Sequence, residues 1–191
     1  MPTSTTLTRA VRLAAVVAIV LVTSMFARPA GAKSAQEMRL RDDCDAASFN
    51  AVLGAGACVG NGGTTIDEFN QELAARGSVG SWKYNPDHDD QRPGEVRVAV
   101  NRGGETHTFT KVHAFGGGFV AGLNQASGNP VPASECAITN PDGTLRPQPA
   151  SPTNNFVAAG TTVSVPAMGN ATELWQCCIH PWMRVRIGVK R

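Results

Sequence analysis

Past Phe26 the sequence has no apolar run long enough to cross a bilayer, and it has little charge, few histidines and few cysteines. Charged residues are 17% of the 191 and hydrophobic ones 42%, which suits one ordinary globular core and argues against several domains. There is no excess of basic residues to attract nucleic acid. If the N-terminal stretch is removed, Arg9, Arg12 and Arg28 go with it, and 17 basic against 15 acidic residues become 14 against 15. A formal charge of +2 becomes −1, without the electrostatic footprint of a nucleic-acid binder. No internal repeat is present.

What stands at the N-terminus is MPTSTTLTRAVRLAAVVAIVLVTSMFARPAGA: two arginines, an apolar run from Leu13 to Phe26, then Ala30-Gly31-Ala32. These are the parts of a secretory signal peptide over residues 1–32, cut after Ala32. The apolar run is shorter than the roughly 20 residues a membrane-spanning helix needs. Export places the mature chain in the periplasm or outside the cell, with no membrane span after cleavage. In that oxidising compartment thiols pair by default. The five cysteines, Cys44, Cys58, Cys136, Cys177 and Cys178, cannot all do so, and at least one is free, intermolecular or bound to something.

The mature chain divides into two textures. Residues 33–80 read as a short helical extension. DAASFNAVL has Asp45 as N-cap and Gly54 beyond its end; IDEFNQELAAR follows a Thr65…Glu68 capping box, carries Ile66, Phe69 and Leu73 at helical spacing and stops at Gly77. Cys44 and Cys58 bracket the first helix. A disulfide there closes a loop of about 15 residues, worth on the order of 3 kcal/mol; two free buried thiols are the alternative. Residues 81–191 read as β: SWKYNPD, EVRVAVN with Val96, Val98 and Val100 alternating, ETHTFTKVHAF after a Gly103-Gly104 turn, FVAAGTTVSV as a strand pair with a glycine turn, ELWQC and VRIGVKR. Residues 116–155, rich in Gly, Pro, Asn and Ser, read as a long loop. Many short strands separated by turns indicate a β-sandwich or small barrel.

The chemistry concentrates in Gln176-Cys177-Cys178-Ile179-His180-Pro181-Trp182-Met183. A turn between two adjacent strands can aim Cys177, His180 and Met183 at one spot. Thiolate and thioether are soft donors and imidazole is intermediate, a set suited to copper rather than calcium or magnesium; a trigonal His2Cys site with a weak axial Met needs one more imidazole. The chain has only His88, His107, His113 and His180 to offer.

WKYNPD…RPGEVRVAVNRGGETHTF resembles the aromatic, Pro, strand, Asn, turn, His segment of the cupredoxins, the blue copper proteins. GTTVSV…ELWQCCIHPWMRVRIGV resembles their closing strand, Cys, His, Met, strand segment, with the loop spacing of the amicyanin and plastocyanin type. The resemblance covers Trp82 to about Phe115 and Phe156 to the C-terminus. It implies an all-β, Greek-key β-sandwich, one type 1 copper ion held by His107, Cys177, His180 and Met183, and a one-electron carrier with no catalysis of its own. It also implies that the edge of His180 surfaces in an apolar patch with Pro181 and Trp182 to dock a redox partner protein. A monomer is expected.

Three features depart from the family. Thr108 stands where Asn usually ties the ligand loops together, the segment between His107 and Cys177 is long, and the cysteine is doubled. Cys177 has the ligand spacing to His180 and shares a strand face with Trp175, while Cys178 points the other way. Cys136 is then the unassigned partner for Cys178, with a strained vicinal Cys177–Cys178 bridge as the alternative. His88, in a polar turn, and His113 read as ordinary histidines, His113 being the substitute should His107 not be a ligand. Four His and no H-x-H pair leave no room for the further centres of copper oxidases. Two readings from other classes stay open: a copper-delivery module that passes no electrons, and a metal-free secreted structural or adhesion domain.

Overall fold

The computed structural model describes residues 35–92, 95–165 and 171–189; the signal peptide read over residues 1–32 lies outside them. In chain order the elements are β1 (Gln36–Arg41), α1 (Ala46–Leu53), α2 (Ile66–Arg76), β2 (Lys83–Asn85), β3 (His88–Gln91), β4 (Arg97–Asn101), β5 (His107–Val112), α3 (Ala121–Ala126), β6 (Ala137–Thr139), β7 (Leu145–Pro147), β8 (Asn154–Val157), β9 (Thr162–Val165), β10 (Glu173–Gln176) and β11 (Arg184–Val189). Two sheets face each other, one ordered β2-β1-β4-β9 and the other β3-β11-β10-β5-β8, with β6-β7 a separate ribbon. Among the described residues no helix is long and apolar enough to cross a membrane.

Between the sheets lie Met38 and Leu40 of β1, Phe109 of β5, Trp175 of β10 and Ile187 of β11, all buried. Phe109 and Trp175 stack with centroids 4.4 Å apart, so an aromatic pair joins the adjacent strands β5 and β10 just before the turn that follows β10. The all-β sandwich implied by the sequence is the architecture observed.

The differences from the sequence reading follow from long-range pairing. Residues 33–80 are not helical alone: β1 lies inside the first sheet, parallel to β4 and antiparallel to β2. His88 to Gln91 form a strand because they pair with β11, His88 opposite Arg186. The alternation in EVRVAVN is present, but the core face is the other one. Arg97, Ala99 and Asn101 are buried while Val96 is exposed. Arg97 reaches Gln91 (Nε to Oε1, 3.3 Å) and pairs with Asp89, and Asn101 donates to the carbonyls of Glu105 and Val157 (2.7 and 2.8 Å). These polar side chains stitch the two sheets, which a valine could not.

The turns at Gly103-Gly104 and Gly160 do not close hairpins; β4 and β9 pair with each other in one sheet, and β5 and β8 in the other. Each turn carries the chain from one layer to the next. The stretch 116–155 also holds more order than a loop: α3, the β6-β7 ribbon and the start of β8.

The helices begin and end where their signals place them. Asp45 caps α1 by accepting from Ser48 N–H, and Thr65 with Glu68 forms the capping box of α2, which ends on Gly77 at φ 68°. Their apolar face packs on Trp82, with Phe49 stacked on its ring at 5.8 Å and Phe69 edge-on at 4.8 Å. Disulfides join Cys44 to Cys58 and Cys136 to Cys178, and Cys177 is free. Unfolding the unreduced protein in denaturant should therefore expose one thiol per chain to a disulfide reagent; three or five would contradict these pairings.

Candidate metal centre

The doubled cysteine splits across the sheet. Cys177 belongs to the main core with Trp175, whereas Cys178 lies in a second cluster with Val112, Ala133 and Cys136. The Cys136–Cys178 bridge thus ties the long inter-ligand segment to the outer side of the turn and leaves Cys177 facing the sandwich. Glycine makes that seam possible. A Cβ on Gly118 would lie 1.7 Å from the Cys178 carbonyl oxygen, the atom that accepts from Phe119 N–H at 2.9 Å.

The turn between β10 and β11 is closed by its own backbone: Cys177 N–H donates to the Met183 carbonyl (3.0 Å) and Met183 N–H to that of His180 (2.9 Å). This folds residues 177–183 into one loop and leaves the His180 ring 5.2 Å from that of His107. His107 opens β5, whose hydrogen bonds to β10 fix it beside the turn. The result is a cluster: one donor atom from each of His107, Cys177 and His180 lies within 4.8 Å of the others. Nδ1 of His107 is 4.0 Å and Nδ1 of His180 is 3.9 Å from Cys177 Sγ. Met183 is buried in the same core, and its backbone is bonded to Cys177 and His180. The other two histidines are elsewhere, His88 exposed on β3 and His113 exposed and paired with Glu135.

The sulfur is held as an acceptor. Thr108 N–H points to it at 3.3 Å and His180 N–H at 3.5 Å. Burial pushes the Cys177 thiol up, but the hydrogen bonds and charges of the two imidazoles outweigh it and hold it well below the ordinary thiol range. Thr108 also does the work expected of an Asn. Its Oγ1 accepts from Cys178 N–H at 2.7 Å, and its carbonyl accepts from the buried Tyr84 hydroxyl at 2.5 Å. One residue after His107 thus binds both sides of the cysteine loop.

Two carboxylates at the imidazoles' far nitrogens give no signal in the sequence. Asp42 Oδ2 is 2.8 Å from His107 Nε2 with both side chains buried, and Glu105 Oε2 is 3.5 Å from His180 Nε2 while accepting from Trp82 Nε1 at 2.5 Å. For His107, burial alone would lower the pKa. The Asp42 hydrogen bond and Cys177 outweigh that and raise it to about 9. Asp42 is itself lowered: burial opposes, but His107 and the N–H groups of Gly104 and Glu105 prevail. Glu105 is raised, chiefly by burial, with His180 and Trp82 opposing.

His180 does not surface as the family resemblance implies; it is 3% exposed. The helical segment covers it. Rings of Phe69, Trp82 and Trp182 stand 6.3, 6.4 and 5.4 Å from the imidazole, and Pro181 is buried. A recess of about 280 Å³ between α1, α2 and the start of α3 includes Glu105 and His180 in its lining.

No family model and no curated protein sequence matches the chain. Solved structures similar to it include a purple cupredoxin from Nitrosopumilus maritimus, at 10% identity over 81% of this chain and 99% of that one with a TM-score of 0.39. A plastocyanin from Dryopteris crassirhizoma in its oxidised form stands at 12%, 81%, 99% and 0.38. An amicyanin variant in its Cu(I) form stands at 17%, 56%, 73% and 0.32. At such identities and scores these likenesses carry no chemistry across, and the site rests on its own donors.

In the metal-free protein the raised His107 and the lowered Cys177 oppose each other. The histidine's contribution to stability is complete below its ordinary 6.5 and is lost as pH rises to about 9; that of the cysteine grows with pH up to its ordinary 9.0. The two slopes work against each other, so the stability of the metal-free protein should fall less between pH 6.5 and 9 than the His107 shift alone would make it, as denaturant titrations can measure. A protein that loses stability steadily over the whole range would show a protonated thiol instead.

Proposed function

We propose that the protein is an exported blue-copper electron carrier whose ion would be held by His107, Cys177 and His180, with Met183 as a weaker fourth donor. The observation that carries the reading is a single free cysteine, wholly buried, flanked by two imidazoles whose Nδ1 atoms are 4.0 and 3.9 Å from its sulfur. Metal–nitrogen and metal–sulfur bonds of about 2.0 and 2.3 Å add to more than either separation, so one ion can bridge each pair. The donor set is that of a His2Cys copper site, and Met183, buried in the same core and in the same loop, would offer the thioether.

Copper bound there would supply a Cu(II)/Cu(I) couple that takes up one electron and gives it back. The chain's part is to keep the donors still and dry. The stacked Phe109 and Trp175 hold β5 and β10 together under the loop, Thr108 pins the sulfur, and the helical segment shuts water from His180. Rigid donors keep reorganisation small in both oxidation states. The other two histidines, His88 and His113, are exposed and outside the cluster, and a carrier without a catalytic copper centre is the reading proposed.

The same burial disfavours the delivery module, which passes its ion by ligand exchange and needs a donor within reach of the acceptor. Here the donor residues are 0–3% exposed. Two disulfides suit an exported, oxidising setting. The redox partner is expected to be a protein that reaches His180 by way of the recess beside α1, where Leu53 is exposed, with this chain acting as a monomer.

Adding Cu(II) to the purified protein should give an intense thiolate-to-copper absorption band and narrow EPR hyperfine splitting, both lost in Cys177→Ser and retained in Cys178→Ser. A colourless Cu(II) adduct would refute the carrier. Met183→Leu should keep the band and raise the reduction potential, because removing a donor weakens Cu(II) more than Cu(I); an unchanged potential would exclude Met183 from the axial position.

A further inference from the structure

The residue that decides which nitrogen His107 presents to the cluster lies 65 positions earlier, at the end of β1. Asp42 Oδ2 is 2.8 Å from His107 Nε2, and the two side chains are 1% and 0% exposed. A carboxylate only accepts. Nε2 must therefore carry a hydrogen, so the nitrogen left to bind an ion is Nδ1, on the side of Cys177.

The carboxylate cannot swing away, because the backbone holds it from other directions. Oδ1 accepts from Gly104 N–H at 2.8 Å and from Cys44 N–H at 3.3 Å, and Oδ2 also accepts from Glu105 N–H at 3.1 Å. The chain leaves room for it: a Cβ on Gly103 would sit 1.9 Å from Asp42 Oδ2. Cys44, two residues on, is locked to Cys58. Glu105 stands in the same relation to His180, but at 3.5 Å and shared with Trp82, a looser hold.

We propose that Asp42 is a positioning residue of the metal centre: it fixes His107 with Nε2–H outward and Nδ1 toward Cys177, and its buried negative charge favours Cu(II) over Cu(I). The N-terminal segment that supplies it is then part of the site and not an appendage. This rests on the copper reading for its redox half only, since orientation of the ring applies to any ion at Nδ1. Carboxylate partners of ligand histidines raise their basicity, and losing one costs about 10–100-fold in metal affinity.

The test uses Zn(II) and copper side by side. In the Zn(II)-loaded protein, nitrogen-15 NMR should show His107 metallated at Nδ1 with a slowly exchanging Nε2–H. Asp42→Asn should weaken Zn(II) and Cu(II) binding about 10–100-fold and Cu(I) binding less, so that the reduction potential rises, by 59 mV for each tenfold difference between the two copper states. Glu105→Gln should change each value less. A folded Asp42→Asn protein with unchanged affinity and potential overturns the proposal, as does a wild-type spectrum with the hydrogen on Nδ1 or no protected Nε2–H. If Asp42→Asn does not fold, the wild-type spectrum decides. Zn(II) bound with the expected spectrum but no blue Cu(II) form would sink the copper reading and leave the ring orientation standing. Uptake of neither metal overturns both.

Discussion

The structure depends on one costly thing, a sulfur donor buried between two sheets and held toward its charged form. A charge taken out of water costs several kcal/mol unless hydrogen bonds and opposite charge offset it. Around Cys177 those offsets are the imidazoles of His107 and His180 at 4.0 and 3.9 Å and the N–H groups of Thr108 and His180 at 3.3 and 3.5 Å. Each partner comes from an element fixed by something else: β5 by its pairing to β10 and β8, the ligand turn by its own backbone, His107 by Asp42. Removing any of these leaves a buried charge underserved, so selection of one geometry follows from the cost of the others.

That constraint also explains the N-terminal segment. β1 completes the middle of a sheet, Asp42 reaches His107, the Cys44–Cys58 bridge holds the turn beside Gly104, and Phe69 of α2 covers the side of His180 that would otherwise meet solvent. The helices and their disulfide form the wall of the site. The second disulfide does similar work outside the sandwich, where Cys178 ties the segment between the ligands to the strand that carries Cys177.

Much of this was legible locally. The spacing Cys177, His180, Met183 and the upstream His107 mark the cluster because a turn between adjacent strands gathers side chains at short range, and the helix ends follow from Asp45, Thr65 with Glu68, and Gly77. What escaped is set by pairing across the fold. Nothing near Asp42 announces a histidine 65 residues away, and nothing in EVRVAVN tells that Arg97 and Asn101 face inward, because their partners lie in the other sheet. Glycine turns mark a change of direction but not whether the next strand returns beside the last or crosses to the opposite layer. Thr108 shows the converse: the side chain differs from the expected Asn, yet one hydroxyl and one N–H suffice to bind the loop.

On this reading the fold sets the donors in place before any ion arrives. Crystal structures of the metal-free and Cu(I)-loaded protein test it directly. His107 and His180 should keep Nδ1 about 4 Å from Cys177 Sγ in both, with the Asp42 contact intact. Rings turned away from the sulfur in the metal-free crystal, closing on it only with copper, would contradict it.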